Sequence, residues 1–104
     1  MSDFGIIIQP TAGRTYEQLI ADRDKAAAAL LERGLQPIDT LLTEARYTQA
    51  REAQPHPEAL ALADQLRAMA QCTHACMVAG WEDDERCGHL KQIALWLGLG
   101  FVEA

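Results

Sequence analysis

The sequence predicts an α/β fold, a parallel four-stranded sheet in the order 2-1-3-4 covered on both faces by three helices. Three observations lead there. Strand-like and helix-like stretches alternate along the chain of 104 residues, and parallel strands joined by helices cross over with one hand, which stacks helices on both faces of the sheet. The first strand-like run, Phe4-Gly-Ile-Ile-Ile-Gln9, carries apolar residues at consecutive positions, as a strand buried on both faces at the centre of a sheet does. The second run, residues 35–42, contains Pro37, which lacks the N–H that a ladder needs and confines that run to an edge.

Each element has its own signals. The first run stops at Pro10-Thr-Ala-Gly13, and Thr15 or an earlier residue then caps a helix over residues 16–33. Leu19, Ile20, Ala27, Leu30 and Leu31 fall near helical spacing there, and Gly34 takes the position just past the end. After the edge strand, residues 43–57 are polar, contain Arg46, Tyr47, Arg51 and a Pro-His-Pro, and show no sustained period; they predict a connection with room for one helical turn. Pro57 suits the first turn of a second helix ending at Gln71, marked by Leu60, Ala63, Leu66, Arg67 and Ala70. Residues 74–80 predict a third buried strand, and residues 81–86 a charged turn. Residues 87–97 predict a third helix through Leu90, Ile93, Ala94 and Leu97, stopped by Gly98 before a last short strand at 99–102.

Length and composition bound the function classes. The chain, 1–104, is one domain with a single modest core, and at 49% apolar it is too rich in core-forming residues for a disordered segment. Nine basic against fifteen acidic residues give a net charge of −6, the wrong sign for gripping a nucleic-acid backbone or an anionic membrane. The longest apolar run, residues 26–31, is too short to span a bilayer, and the N-terminus lacks a basic leader, so a cytoplasmic protein is expected. Three cysteines, an odd number, point to reduced thiols rather than a disulfide framework.

In a sheet of order 2-1-3-4 a ligand sits beyond the carboxyl ends of the first and third strands, where the winding reverses. The residues at those ends are Gln9, Pro10, Thr11, Gly13, Arg14 and Tyr16 in one loop and Gly80, Trp81, Asp84 and Arg86 in the other, and these ten are the candidate ligand-binding set. Arg14 and Arg86, with the N-terminus of the first helix, suit a phosphate or carboxylate; the plainer alternative is surface pairing with Glu17 or Glu85. Trp81 suits stacking on a base or a lid over the core. Tyr16 and Tyr47 are lesser candidates, and Trp96 lies on a helix suited to packing against the sheet or a second subunit.

The same two loops carry a resemblance. A strand ending in Pro-Thr-Ala-Gly13, Leu66-Arg-Ala-Met-Ala-Gln-Cys72, a strand ending in Gly80-Trp-Glu82, and Ala94-Leu-Trp-Leu-Gly98 together resemble a family of unknown function from phage and bacterial genomes, within the nucleoside 2-deoxyribosyltransferase-like superfamily. The resemblance spans nearly the whole chain, but only its Cys72 to Gly98 stretch is specific. It implies a small flavodoxin-like or Rossmann-like three-layer sandwich that holds a nucleotide or nucleoside, often as a homo-oligomer. The chain departs from the pattern in places. Gln9-Pro10 stands for a Gly-Pro, and Cys72-Thr73 for a Cys-Asp. The glutamate that serves the transferases as nucleophile falls on Leu90 without gaps, or on Gln92 if the preceding glycine is set on Gly88. Neither supplies the carboxylate that covalent transfer at an anomeric carbon requires.

The expected function is therefore nucleotide or nucleoside binding without turnover. Asp84, one of the acidic residues Asp83, Asp84 and Glu85, is a weak catalytic candidate, since such a cluster also caps a helix N-terminus. The alternatives are a nucleosidic-bond hydrolase or transferase using Asp84 or a neighbouring subunit's carboxylate, and a non-catalytic interaction module. Cys72, His74, Cys76, Cys87 and His89 hold enough soft ligands for zinc, yet on a helix positions 87 and 89 point about 200° apart. No metal or other cofactor is expected, and without a Cys-x-x-Cys or a lowered thiol pKa, thiol catalysis is not either.

Overall fold

The computed structural model describes residues 3–39 and 55–104. Residues 40–54, which include the end of the second predicted strand, Arg46, Tyr47 and Arg51, lie outside the described residues. The described chain runs β1 (Phe4–Ile8), α1 (Tyr16–Glu32), β2 (Gln36–Asp39), α2 (Pro57–Met69), β3 (His74–Met77), a single 3-10 turn (Trp81–Asp83), α3 (Glu85–Leu97) and β4 (Gly100–Glu103). The four strands form one parallel sheet in the order β2-β1-β3-β4, the predicted topology. Ile6 stands between Ile38 and Ala75, and Ala75 pairs with Phe101 on its other side. Pro37 lies in the edge strand β2, opposite Gly5.

Alternate residues of β1 face opposite layers. Ile7 joins Cys76, Val78 and Val102 beneath Ala26 and Leu30 of α1. Ile6 and Ile8 join Ala75 beneath Met69 of α2 and Cys87, Leu90 and Ala94 of α3. Among the described residues one helix covers one face and two cover the other, so the domain has three layers around two apolar clusters. Among the described residues no helix is long and apolar enough to cross a membrane.

The helix ends follow the sequence signals closely. Thr15 Oγ1 accepts from the Gln18 N–H at 3.2 Å while Gln18 Oε1 accepts from the Thr15 N–H at 2.9 Å, a reciprocal box that satisfies orphan donors at the start of α1. At its end the N–H groups of Gly34 and Leu35 donate to the carbonyls of Leu31 and Leu30, with Gly34 at φ +74°. α3 begins two residues earlier than its apolar periodicity suggests, because Asp84 Oδ1 accepts from the Cys87 N–H at 3.1 Å and caps it. β3 stops at Met77, short of the predicted Gly80, because its partner β1 ends at Ile8 and the ladder ends with it. The chain beyond is thereby released into a loop at the carboxyl edge of the sheet.

Candidate ligand crevice

The loops after β1 and β3 meet as the winding of the sheet requires. Three hydrogen bonds join them. Arg14 Nη2 donates to the Ala79 carbonyl at 3.2 Å, the Thr11 N–H to Asp84 Oδ2 at 3.4 Å, and Arg86 Nη2 to the Gln9 carbonyl at 2.9 Å. Arg14 Nε also lies 3.6 Å from Asp22 of α1. Both arginines thus point into protein acceptors across the seam, and each bond to a carbonyl is charge-assisted.

The other candidates divide between seam and surface. Gln9 and Pro10 are buried, and Gln9 Nε2 donates to the Leu19 carbonyl at 3.0 Å, which turns its amide toward α1. Gly80 takes a left-handed conformation at φ +94°, and a Cβ there would run into the Arg14 guanidinium. Asp84 uses one oxygen to cap α3 and the other to hold the first loop. Tyr16 is exposed at 68%, away from the seam's bonds.

Among the described residues, two adjoining hollows open at this edge of the sheet. The smaller, about 410 Å³, is lined by Gly13, Arg14, Gln18 and their neighbours. The larger, about 660 Å³, crosses the ends of β3 and β4, with Lys25 of α1 on one side, Lys91 and Leu95 of α3 on the other, and Trp81, Met77 and Phe101 between. Asp22 and Ala79 line both, so the hollows adjoin. Of the ten sequence candidates, Gly13 and Arg14 line the smaller hollow and Trp81 the larger. Arg86 lines a third, apolar hollow of about 360 Å³ between α2 and α3.

Lys25, Lys91, Met77 and Phe101 escape a reading confined to the loops. They come from the second turn and beyond of helices and from within β3 and β4, and become neighbours only when β4 is laid beside β3. The available signal was modest: Lys25 follows Asp22 by one helical turn, so it faces the same way as the residue beside Arg14. Lys91 Nζ sits 4.1 Å from the centroid of the Trp81 ring, a cation–π contact that holds the indole at the cleft wall.

Leu90, the gapless position for a nucleophile, is 1% exposed within the core. Gln92 is exposed on α3. The cysteines at 72, 76 and 87 are buried free thiols, while His89 is exposed beside Glu85. His74 Nδ1 lies 2.8 Å from Thr73 Oγ1 at the opposite end of β3 from the crevice. Among the described residues no three His, Cys, Asp or Glu side chains cluster as a metal site would need. Burial pushes the Cys72 thiol up to about 11, and Cys76 upward as well, so both stay protonated and unreactive at neutral pH. No family model, curated protein or solved structure matches the chain.

Proposed function

We propose that the protein binds a nucleotide or nucleoside in the crevice at the carboxyl edge of its sheet and does not turn it over. The observation that carries this reading is the meeting of the β1 and β3 loops, where open α/β sheets hold ligands, with an open cleft of about 660 Å³ adjoining it over β3 and β4, a size in the range of small-molecule sites. Trp81, Met77 and Phe101 offer it an apolar and aromatic surface for a base. Two features favour binding over turnover. Leu90 is a core residue, and both Asp84 oxygens are engaged by backbone N–H groups, which holds that carboxylate away from a role as nucleophile. The likeness of the Gly80-Trp-Glu82 stretch to the deoxyribosyltransferase-like superfamily supports the same ligand class.

The acidic net charge of −6 favours a small ligand over a nucleic acid. Three free cysteines suit a reducing cytoplasm. Trp96 and Leu97 stand exposed at the end of α3, Trp96 at 84%, and a second copy of the chain would cover them. The test is a thermal-shift series with nucleosides and nucleotides, paired with chromatography for released base. Stabilisation without base release is expected; base release would make the protein an enzyme, and no stabilisation by any of them would leave an interaction module.

A further inference from the structure

We infer that the ligand is phosphorylated and that Lys25 and Lys91, not the two loop arginines, receive its phosphate. This rests on the nucleotide-binding reading and assigns the two ends of the ligand to the two kinds of surface in the larger cleft. The arginines are the obvious anion donors, but Arg14 donates to the Ala79 carbonyl and lies against Asp22, and Arg86 donates to the Gln9 carbonyl. Neither arginine lines the larger cleft, and the N–H that each gives to its carbonyl is committed to holding the two loops together.

The lysines carry no such commitment. Neither Lys25 nor Lys91 has a carboxylate within salt-bridge distance among the described residues; the one close partner of Lys91 is the Trp81 ring at 4.1 Å. A ring face attracts a cation without cancelling its charge, so the ammonium donors remain to be used. They approach from opposite layers, Lys25 from α1 and Lys91 from α3, on either side of the exposed end of the sheet. Of the two acidic residues that line the cleft, Asp22 is engaged by Arg14, and Glu103 is exposed at the end of β4, where a carboxylate suits sugar hydroxyls. Met77, Leu95 and Phe101 supply the apolar surface for a base. Two ammonium groups, an aromatic wall and a carboxylate describe a nucleoside phosphate better than a nucleoside.

The test is isothermal titration of the four ribonucleoside 5′-monophosphates, the matched nucleosides and inorganic pyrophosphate into the wild type, Lys25→Gln/Lys91→Gln and Arg14→Ala. Expected is a monophosphate that binds the wild type more tightly than its nucleoside. The double lysine variant should weaken the monophosphate about tenfold or more, as loss of charged hydrogen bonds does, and the nucleoside by much less, since Lys91 also steadies the Trp81 ring; an equal loss for both ligands would assign the lysines to the base end and overturn the phosphate assignment. Circular dichroism confirms that the variant folds. Equal binding of monophosphate and nucleoside, or a monophosphate affinity lowered by Arg14→Ala and untouched by the lysine variant, overturns the assignment while nucleotide binding stands. If no nucleoside or monophosphate binds, the functional reading falls; pyrophosphate binding lost in the lysine variant then still supports the anion site, and absence of pyrophosphate binding removes that too.

Discussion

Arg14 reaches the Ala79 carbonyl by passing over Gly80: its Nη2 lies 3.2 Å from that oxygen, and the space a Cβ on Gly80 would fill is occupied by the guanidinium. The glycine is needed twice, once for the left-handed turn at φ +94° that carries the chain out of β3 and once to let the arginine through. Gly80→Ala should therefore cost more than the ~1–3 kcal/mol of an unfavourable backbone region alone. In an Arg14→Ala background the same change should cost less, with a coupling of about 0.5–3 kcal/mol, as for residues in contact. Urea denaturation of the four proteins measures it. Additive costs would mean that only the turn, and not the passage of the arginine, selects glycine.

Arg86 makes the partner clasp. Its Nη2 donates to the Gln9 carbonyl at 2.9 Å in a partly buried setting, so Arg86→Ala should lower stability by about 1.5–3 kcal/mol, the range for hydrogen bonds to charged groups. An unchanged urea midpoint would show that water replaces the guanidinium at no cost.

The sheet order, the edge position of Pro37 and the glycine stops after α1 and α3 were legible because each depends on local chemistry: apolar runs, a missing N–H, a left-handed residue. The convergence of residues 9–14 with 79–86 was legible too, since it follows from topology. What those side chains do on meeting was not. Arg14 and Arg86 read equally as ligand donors or surface ion pairs, and neither reading contains a backbone carbonyl across the seam, because no sequence pattern marks which main-chain oxygens a loop leaves open. Lys25 and Lys91 lie sixty-six positions apart in the chain and share a cleft only through the β3–β4 pairing. Leu90 carried a legible warning, as it falls in the apolar period of its helix, and the buried face of α3 bears this out.

Leu90→Glu tests whether that position can host a carboxylate. Leu90 is 1% exposed among Ile6, Ile8 and Met69 of the same cluster, so an unpaired charge there should cost several kcal/mol, comparable with the ~3–5 kcal/mol of a broken buried pair. Leu90→Met, which keeps volume and polarity, should cost less than about 1.5 kcal/mol. Thermal melts of the two variants and an assay for released base give the readout. A stable Leu90→Glu protein that cleaves nucleosides would place residue 90 in the crevice.

Trp96 is 84% exposed, with Leu95 and Leu97 beside it. If a second copy covers this end of α3, Trp96→Ser should shift the light-scattering mass toward the monomer and leave the circular dichroism spectrum unchanged, since the indole contributes little to its own core. A monomeric wild type at high protein concentration would withdraw self-association.

Alkaline pH should weaken the fold through its thiols. Burial raises the Cys72 thiol from 9.0 to about 11, and Cys76 upward as well, because the thiolate is poorly solvated in the interior. Below pH 9 folded and unfolded chains both hold these protons, and the full contribution to stability is present. As pH rises from 9 through 11 the unfolded chain releases the Cys72 proton while the folded chain keeps it, so stability is lost across that window and levels above it. Lysines and tyrosines titrate there too, which makes the comparison with Cys72→Ala the informative one. The variant gives up the Sγ donation to the Ala68 carbonyl at 3.2 Å and should start less stable, but its urea midpoint should fall less steeply between pH 9 and 11. Parallel declines in the two proteins would show that the Cys72 thiol ionises as readily in the folded chain as in the unfolded one.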